Sequence, residues 1–209
     1  LGRVFGGENN RGAGLELSYL TPLPWFAELV GSVTDAAGEE TARSFYGPTD
    51  RGVWTPLDVQ GTLALKQLFP LSEAWSLLFG LSGATGPNPT GVDNRTDVFG
   101  ADLYLKLRPP GSSGEGAVAL QAEWLYRRRQ ISGDVLEDAN GYAQLSWRMT
   151  RHWGTAARYE HGGAPTGRSG GRAIDPLDPD WTGDRQRASA SATFWPSEFS
   201  RLRLQAAGD

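Results

Sequence analysis

Apolar and polar residues alternate one by one through segment after segment of this chain, and a period of two is the mark of β-strand. The clearest segment sets Leu57, Val59, Gly61, Leu63 and Leu65 on one face and Asp58, Gln60, Thr62, Ala64 and Lys66 on the other. Another sets Phe99, Ala101, Leu103, Leu105 and Leu107 against Asp102, Tyr104, Lys106 and Arg108. Read this way, the chain divides into about ten strands of roughly nine to twelve residues each. Soluble strands average about five or six residues, whereas a tilted strand crossing a bilayer needs about nine to eleven.

The connections carry a second pattern. Short reversals near residues 21–25, 69–74, 109–115, 149–152 and 196–199 alternate with longer polar stretches near 35–56, 86–96, 128–139 and 162–184. Tyr19 and Trp25 bracket the first reversal, Phe69 and Trp75 the second, and Trp147 and Trp153 the fourth; Phe194 and Trp195 precede the fifth. The Pro109-Pro110-Gly111 turn lacks this pattern. Aromatic side chains collect where a membrane meets water, so these residues are expected to form one interface girdle. All five short reversals then share one rim, taken as periplasmic. Loop 35–56, with Phe45, Tyr46 and Trp54 as inward anchors, or loop 162–184 is expected to fold inward as a constriction.

The expected fold is therefore all-β: an antiparallel up-and-down transmembrane β-barrel, one domain over residues 1–209. The chain opens at Leu1 and stops in Leu204-Gln205-Ala206, within a strand, which favours a fragment of a larger barrel with terminal strands missing. Hydrophobic residues make up 39% of the chain, a modest share that suits a barrel in which alternate residues face lipid. No apolar run is long enough for a membrane helix. Cysteine is absent, which removes disulfides, thiolate metal sites and cysteine nucleophiles.

A family resemblance rests on Gly14-Leu-Glu-Leu-Ser-Tyr-Leu20, Phe69-Pro-Leu-Ser72, Ser76-Leu-Leu-Phe-Gly-Leu-Ser82 and Gly86-Pro-Asn88. Asn94-Arg-Thr-Asp97, Gly100-Ala-Asp-Leu-Tyr-Leu105, Gln121-Ala-Glu-Trp-Leu-Tyr126, Gly141-Tyr-Ala-Gln144 and Asp175-Pro-Leu-Asp-Pro-Asp-Trp-Thr182 add to it. Across these stretches the chain resembles bacterial outer-membrane barrels labelled zinc-regulated or TonB-dependent outer-membrane proteins, which are similar to phosphate-selective porins. The resemblance implies a cell outer-membrane location and a role in solute passage. The TonB-dependent label also implies a plug domain and a TonB box, which these 209 residues do not supply.

Sorting charges by face gives the expected pore lining. Lys66, Lys106, Arg108, Arg127, Arg148, Arg158, Arg185, Arg187, Arg201 and Arg203 fall on the polar face, against Glu16, Glu28, Asp58, Asp102, Glu123 and Glu160. Ten cations thus face six anions, although the whole chain carries a net charge of −4. Rings of Arg and Lys favour anions in a pore; cross-strand neutralisation inside a filled barrel is the competing reading. Asp175, Asp178 and Asp180 are the nearest approach to a cation site, but Pro176 and Pro179 break their spacing, and an acidic loop without metal is the simpler expectation. His161 beside Glu160 lacks a positioned serine, so no enzyme is expected.

The sequence thus points to a porin-like channel for passive diffusion of small solutes, anions among them. Its alternatives are a filled structural or adhesive barrel acting through external loops, and the barrel part of an active-uptake receptor. Outer-membrane lipid and lipopolysaccharide are the expected surroundings, with no cofactor and no nucleic acid. Ala188, Ala190 and Ala192 would permit close approach of a second subunit in a homo-oligomer, or they form an ordinary lipid face.

Overall fold

Ten strands pair in the order in which they occur, every neighbour antiparallel, in a single sheet. They are β1 (Gly14–Leu20), β2 (Phe26–Thr34), β3 (Gln60–Pro70), β4 (Trp75–Pro87), β5 (Arg95–Leu107), β6 (Ala117–Ile131), β7 (Asp134–Arg148), β8 (Trp153–Gly162), β9 (Arg185–Ser197) and β10 (Ser200–Gly208). The structure is a computed structural model and describes residues 13–35 and 55–209. Expected anchors Phe45, Tyr46 and Trp54, with most of loop 35–56, lie outside these residues. The sheet is open: β1 and β10 each have one neighbour.

Cross-strand partners share a face, so the pairing registers test the expected alternation directly. Leu17 pairs with Gly31, Gly31 with Leu63, Leu63 with Gly83, Gly83 with Phe99, and Phe99 with Tyr126. Leu145 pairs with Ala157, Ala157 with Ala190, and Ala190 with Ala206. The apolar set is continuous from edge to edge. Among the described residues no layer covers it: Leu15 and Leu204 are each 80% exposed.

Hydrogen-bonded rows run obliquely to the line of short turns. One row passes through Ala27, Gln67, Phe79, Leu103, Ala122, Ala143, Tyr159 and Ala188. It begins one residue inside β2 and ends nine residues from the end of β9. That drift of eight residues is about 27 Å of strand, accumulated over seven strand spacings, or about 34 Å.

Three expected boundaries change. The stretch 128–139 is no loop: β6 and β7 pair without a break from Ala117↔Arg148 to Ile131↔Asp134 and turn at Ser132-Gly133. Gly133 has φ +81°, a conformation that a residue with a Cβ resists. Strict alternation of short and long connections therefore fails at this hairpin. Arg129 and Asp138, which fell within the expected loop, are buried, as is Arg127 just before it. The connection expected at 86–96 shortens to 88–94, between β4 and β5.

At β3 the strand starts at Gln60, and Pro56–Asp58 forms a 3-10 turn. Asp58 closes a capping box there: its carboxylate accepts from the Thr55 N–H at 2.7 Å, and the Thr55 hydroxyl accepts from the Leu57 N–H. A carboxylate held in that cap is not a strand residue of the polar face.

Candidate functional site

The polar face carries most of the residues expected to line a pore. Lys66, Asp102, Glu123, Tyr142, Glu160 and Arg187 form one cross-strand row. Lys106, Arg148, Arg158, Arg185 and Arg203 lie on the same face by register. Arg108 sits just past the end of β5, and Arg201 falls at the register shift between Ser200 and Leu202.

Near the short-turn rim, Lys106, Arg148, Arg201 and Arg203 share a cavity of about 300 Å³. Its other lining residues are neutral, and no carboxylate is among them. The Arg148 guanidinium lies 4.9 Å from the centre of the Trp195 ring, and Arg203 donates to the Ser191 hydroxyl at 3.3 Å. With no carboxylate among the described lining residues, these four cations create a positive potential at this end of the face. Trp195, expected in the interface girdle, is instead on this polar face: its ring lies 3.1 Å from where a Cβ on Gly154 would stand. The reason is parity, since Phe194 takes the apolar side beside Trp153, with ring centres 4.7 Å apart.

The other girdle residues keep to the apolar side. Trp25 packs at a tilt against Phe69, with ring centres 5.8 Å apart, and donates its indole N–H to Gln67, a polar side chain within that face. Tyr19, Trp75 and Trp147 are on the apolar face by register and exposed. His161 shares it, its ring parallel to Trp124 at 6.4 Å.

The opposite end of the polar face is closed by the connection 163–184. This segment first extends the β7 pairing, with Gly163 N–H donating to Ala139 and Thr166 bridging Glu137. It then returns across β6 and β7, where Asp175 meets the guanidiniums of Arg127 and Arg129. Arg127 also donates from Nε to Asp138 at 2.9 Å. All four side chains are essentially inaccessible.

This arrangement corrects two expectations. Arg127 does not line open space, because it is neutralised by Asp138 and Asp175. Asp175, weighed in sequence as a weak metal-site candidate in an exposed acidic loop, is instead buried against two guanidiniums. Arg129 and Asp138 escaped sequence reasoning because they fell in the supposed loop. No alternation marks them, because Arg127, Arg128, Arg129 and Gln130 are polar at four consecutive positions.

Between the clamped connection and the middle of the polar face lies a larger cavity, about 530 Å³, lined by Glu123, Leu125, Asn140, Tyr142, Trp181 and Arg187 among others. Trp181 closes over Gly162, where a Cβ would stand 2.4 Å from the indole, and it donates to the Gly163 carbonyl at 3.1 Å. Arg158 stacks 3.8 Å over Tyr142 and pairs with Glu160 at 2.7 Å. Arg187 pairs with Asp209 at 3.5 Å.

The chain is similar to an uncharacterized protein of Aquifex aeolicus (strain VF5), 27% identical over 228 residues. The match covers 97% of this chain and 46% of the relative, so the chain spans about half the length of the curated relative it matches. No family model matches. No solved structure matches.

Proposed function

We propose that this chain forms wall strands of an outer-membrane β-barrel that lets small solutes diffuse passively and favours anions. The observation that carries this reading is the uncharged, uncovered apolar face. On β5 it runs from Phe99 to Leu107, eight residue steps or about 27 Å along the strand, which is about 21 Å across a bilayer at a tilt near 40°. It ends at a charged row, Asp97, Arg128 and Glu137. An apolar band of about 25 Å bounded by aromatic girdles is what a bilayer requires of a barrel. Reversing the faces would put Lys66, Lys106, Arg158 and Arg203 into hydrocarbon, at roughly 2–4 kcal/mol each near the midplane.

The stagger of the rows supports the same reading. About 27 Å of drift over about 34 Å corresponds to a strand tilt near 40°, within the 35–45° that barrels adopt. Anion preference rests on the carboxylate-free cavity at the short-turn rim. No enzymatic activity is proposed.

The test is reconstitution of the complete polypeptide containing this chain into planar bilayers under a salt gradient. Stepwise conductance with a reversal potential on the anion side is expected. Absence of steps would favour the second reading, a filled structural barrel. That reading draws on one observation, the connection 163–184 clamped onto the polar face.

A further inference from the structure

Asp102 on β5 and Glu123 on β6 are direct cross-strand partners on the polar face. Like charges set directly opposite each other destabilise a sheet, so this pair breaks a local rule of strand pairing. No ion pair repairs it: among the described residues neither carboxylate is held by a cation. The cations of the same row are matched elsewhere. Lys66 has Glu28 as its cross-strand partner, Arg158 pairs with Glu160 and lies over Tyr142, and Arg187 pairs with Asp209. Both carboxylates are half-buried rather than sealed, and Glu123 lines the 530 Å³ cavity. Asp102 lies where a Cβ on Gly80 would stand, so that glycine leaves room for its carboxylate.

The residual charge of the polar face is therefore split in two. Lys106, Arg148, Arg201 and Arg203 gather in the carboxylate-free cavity at the short-turn rim. The unpaired carboxylates stand further in: Asp102 lies four residues from Lys106 along β5, about 13 Å. A wall charge acts on a passing ion in proportion to the ion's own charge. We propose that Asp102 and Glu123 are specificity-determining residues, an anion-repelling station that holds back multivalent anions more than monovalent ones. The rim collects anions, and the carboxylate pair sets which of them pass on. A pairing rule broken without local compensation is what a functional position looks like. The selectivity role rests on the channel reading; the negative potential at the pair does not.

Two measurements on the complete polypeptide separate these claims. The 209 residues contain no cysteine. With any cysteine elsewhere changed to Ser, Asp102→Cys places a single thiol beside Glu123. Its reaction rates with a cationic and an anionic methanethiosulfonate are compared in detergent, each relative to a free thiol in solution. The cationic reagent is expected to be favoured about tenfold, and adding Glu123→Gln should bring the ratio close to one. At Ser146→Cys, in the rim cavity, the preference should be reversed. A ratio near one at Asp102→Cys, or one that Glu123→Gln leaves unchanged, overturns the station whether or not the protein conducts. In planar bilayers, Asp102→Asn with Glu123→Gln is expected to raise the permeability of sulfate relative to chloride several-fold. A conducting protein whose sulfate-to-chloride ratio is unchanged overturns the selectivity role. A protein that keeps the reagent preference but does not conduct removes the channel reading, and the selectivity role with it.

Discussion

The carboxylate of Asp175 crosses the polar face to meet Arg129 on β6, 46 positions earlier in the chain, and both side chains are buried. That contact, with Arg127 and Asp138, is what holds the connection 163–184 across the face instead of letting it stand in solvent. A buried ion cluster is stable only when complete, since an orphaned charge cannot recover its hydration.

Removing Asp175 therefore has a large effect. Asp175→Ala leaves Arg127 and Arg129 with Asp138 alone and is expected to cost about 3–5 kcal/mol. Limited proteolysis should show the 163–184 segment cut much faster in the variant. If the protein conducts, its single-channel current should rise. Unchanged protease resistance would show that the clamp is not what holds the segment.

Charge reversal of the faces gives the sharpest test of membrane embedding. Leu103→Arg, at the centre of the apolar face, is expected to lower folding stability in vesicles by roughly 2–4 kcal/mol. Ser18→Arg, at an exposed position on the polar face of β1 away from the basic cavity, should change it by less than about 0.5 kcal/mol. Urea titrations in lipid vesicles compare the two. Equal effects would argue against a lipid-facing surface.

Selectivity depends on the rim cavity. Replacing Lys106, Arg148 and Arg203 together by Gln is expected to move the reversal potential toward cations. The shift should be larger in about 10 mM salt, where the screening length is about 30 Å, than in 1 M salt, where it is about 3 Å. A reversal potential that ignores these substitutions would place the selectivity elsewhere.

A pH dependence follows from Asp134, at the tip of the β6–β7 hairpin beyond the charged row that ends the apolar band. Its carboxylate accepts from the N–H groups of Arg168 and Val135, at 3.1 and 2.7 Å, and these bonds hold its pKa below the usual carboxylate range. A depressed carboxylate pKa stabilises the folded state above the unfolded value, about 3.9, and that contribution is lost as pH falls through the folded value. Protease resistance of the 163–184 segment should be level from about pH 8 to pH 5 and decline below about pH 4. In Asp134→Asn that component of the decline should be absent.

Glycine positions show how far sequence reasoning reaches. Gly133, whose φ of +81° makes the β6–β7 turn, fell within a stretch read from sequence as a longer loop. Gly141 is different: a Cβ there would stand 2.6 Å from the Trp124 ring and 2.7 Å from the Glu123 carbonyl oxygen. No local signal identifies that close approach, because Trp124 becomes the neighbour of Gly141 only once β6 and β7 pair.

By itself the sequence determined the number of strands, the two faces and the rim shared by five of the short turns; the tight turn at Ser132-Gly133, on the opposite rim, was read as a loop. A period of two can be read from adjacent residues, and antiparallel neighbours joined by short turns inherit it. Lys106, Arg148 and Arg203 could thus be assigned to one face without coordinates. Only the tertiary structure decided which of those charges remain available. Arg127 and Lys106 look alike in sequence, yet Arg127 is buried with Asp138 and Asp175 while Lys106 lines a cavity without a carboxylate. The difference lies in where a 22-residue connection returns, and that is set by a long-range ionic contact rather than by any local periodicity.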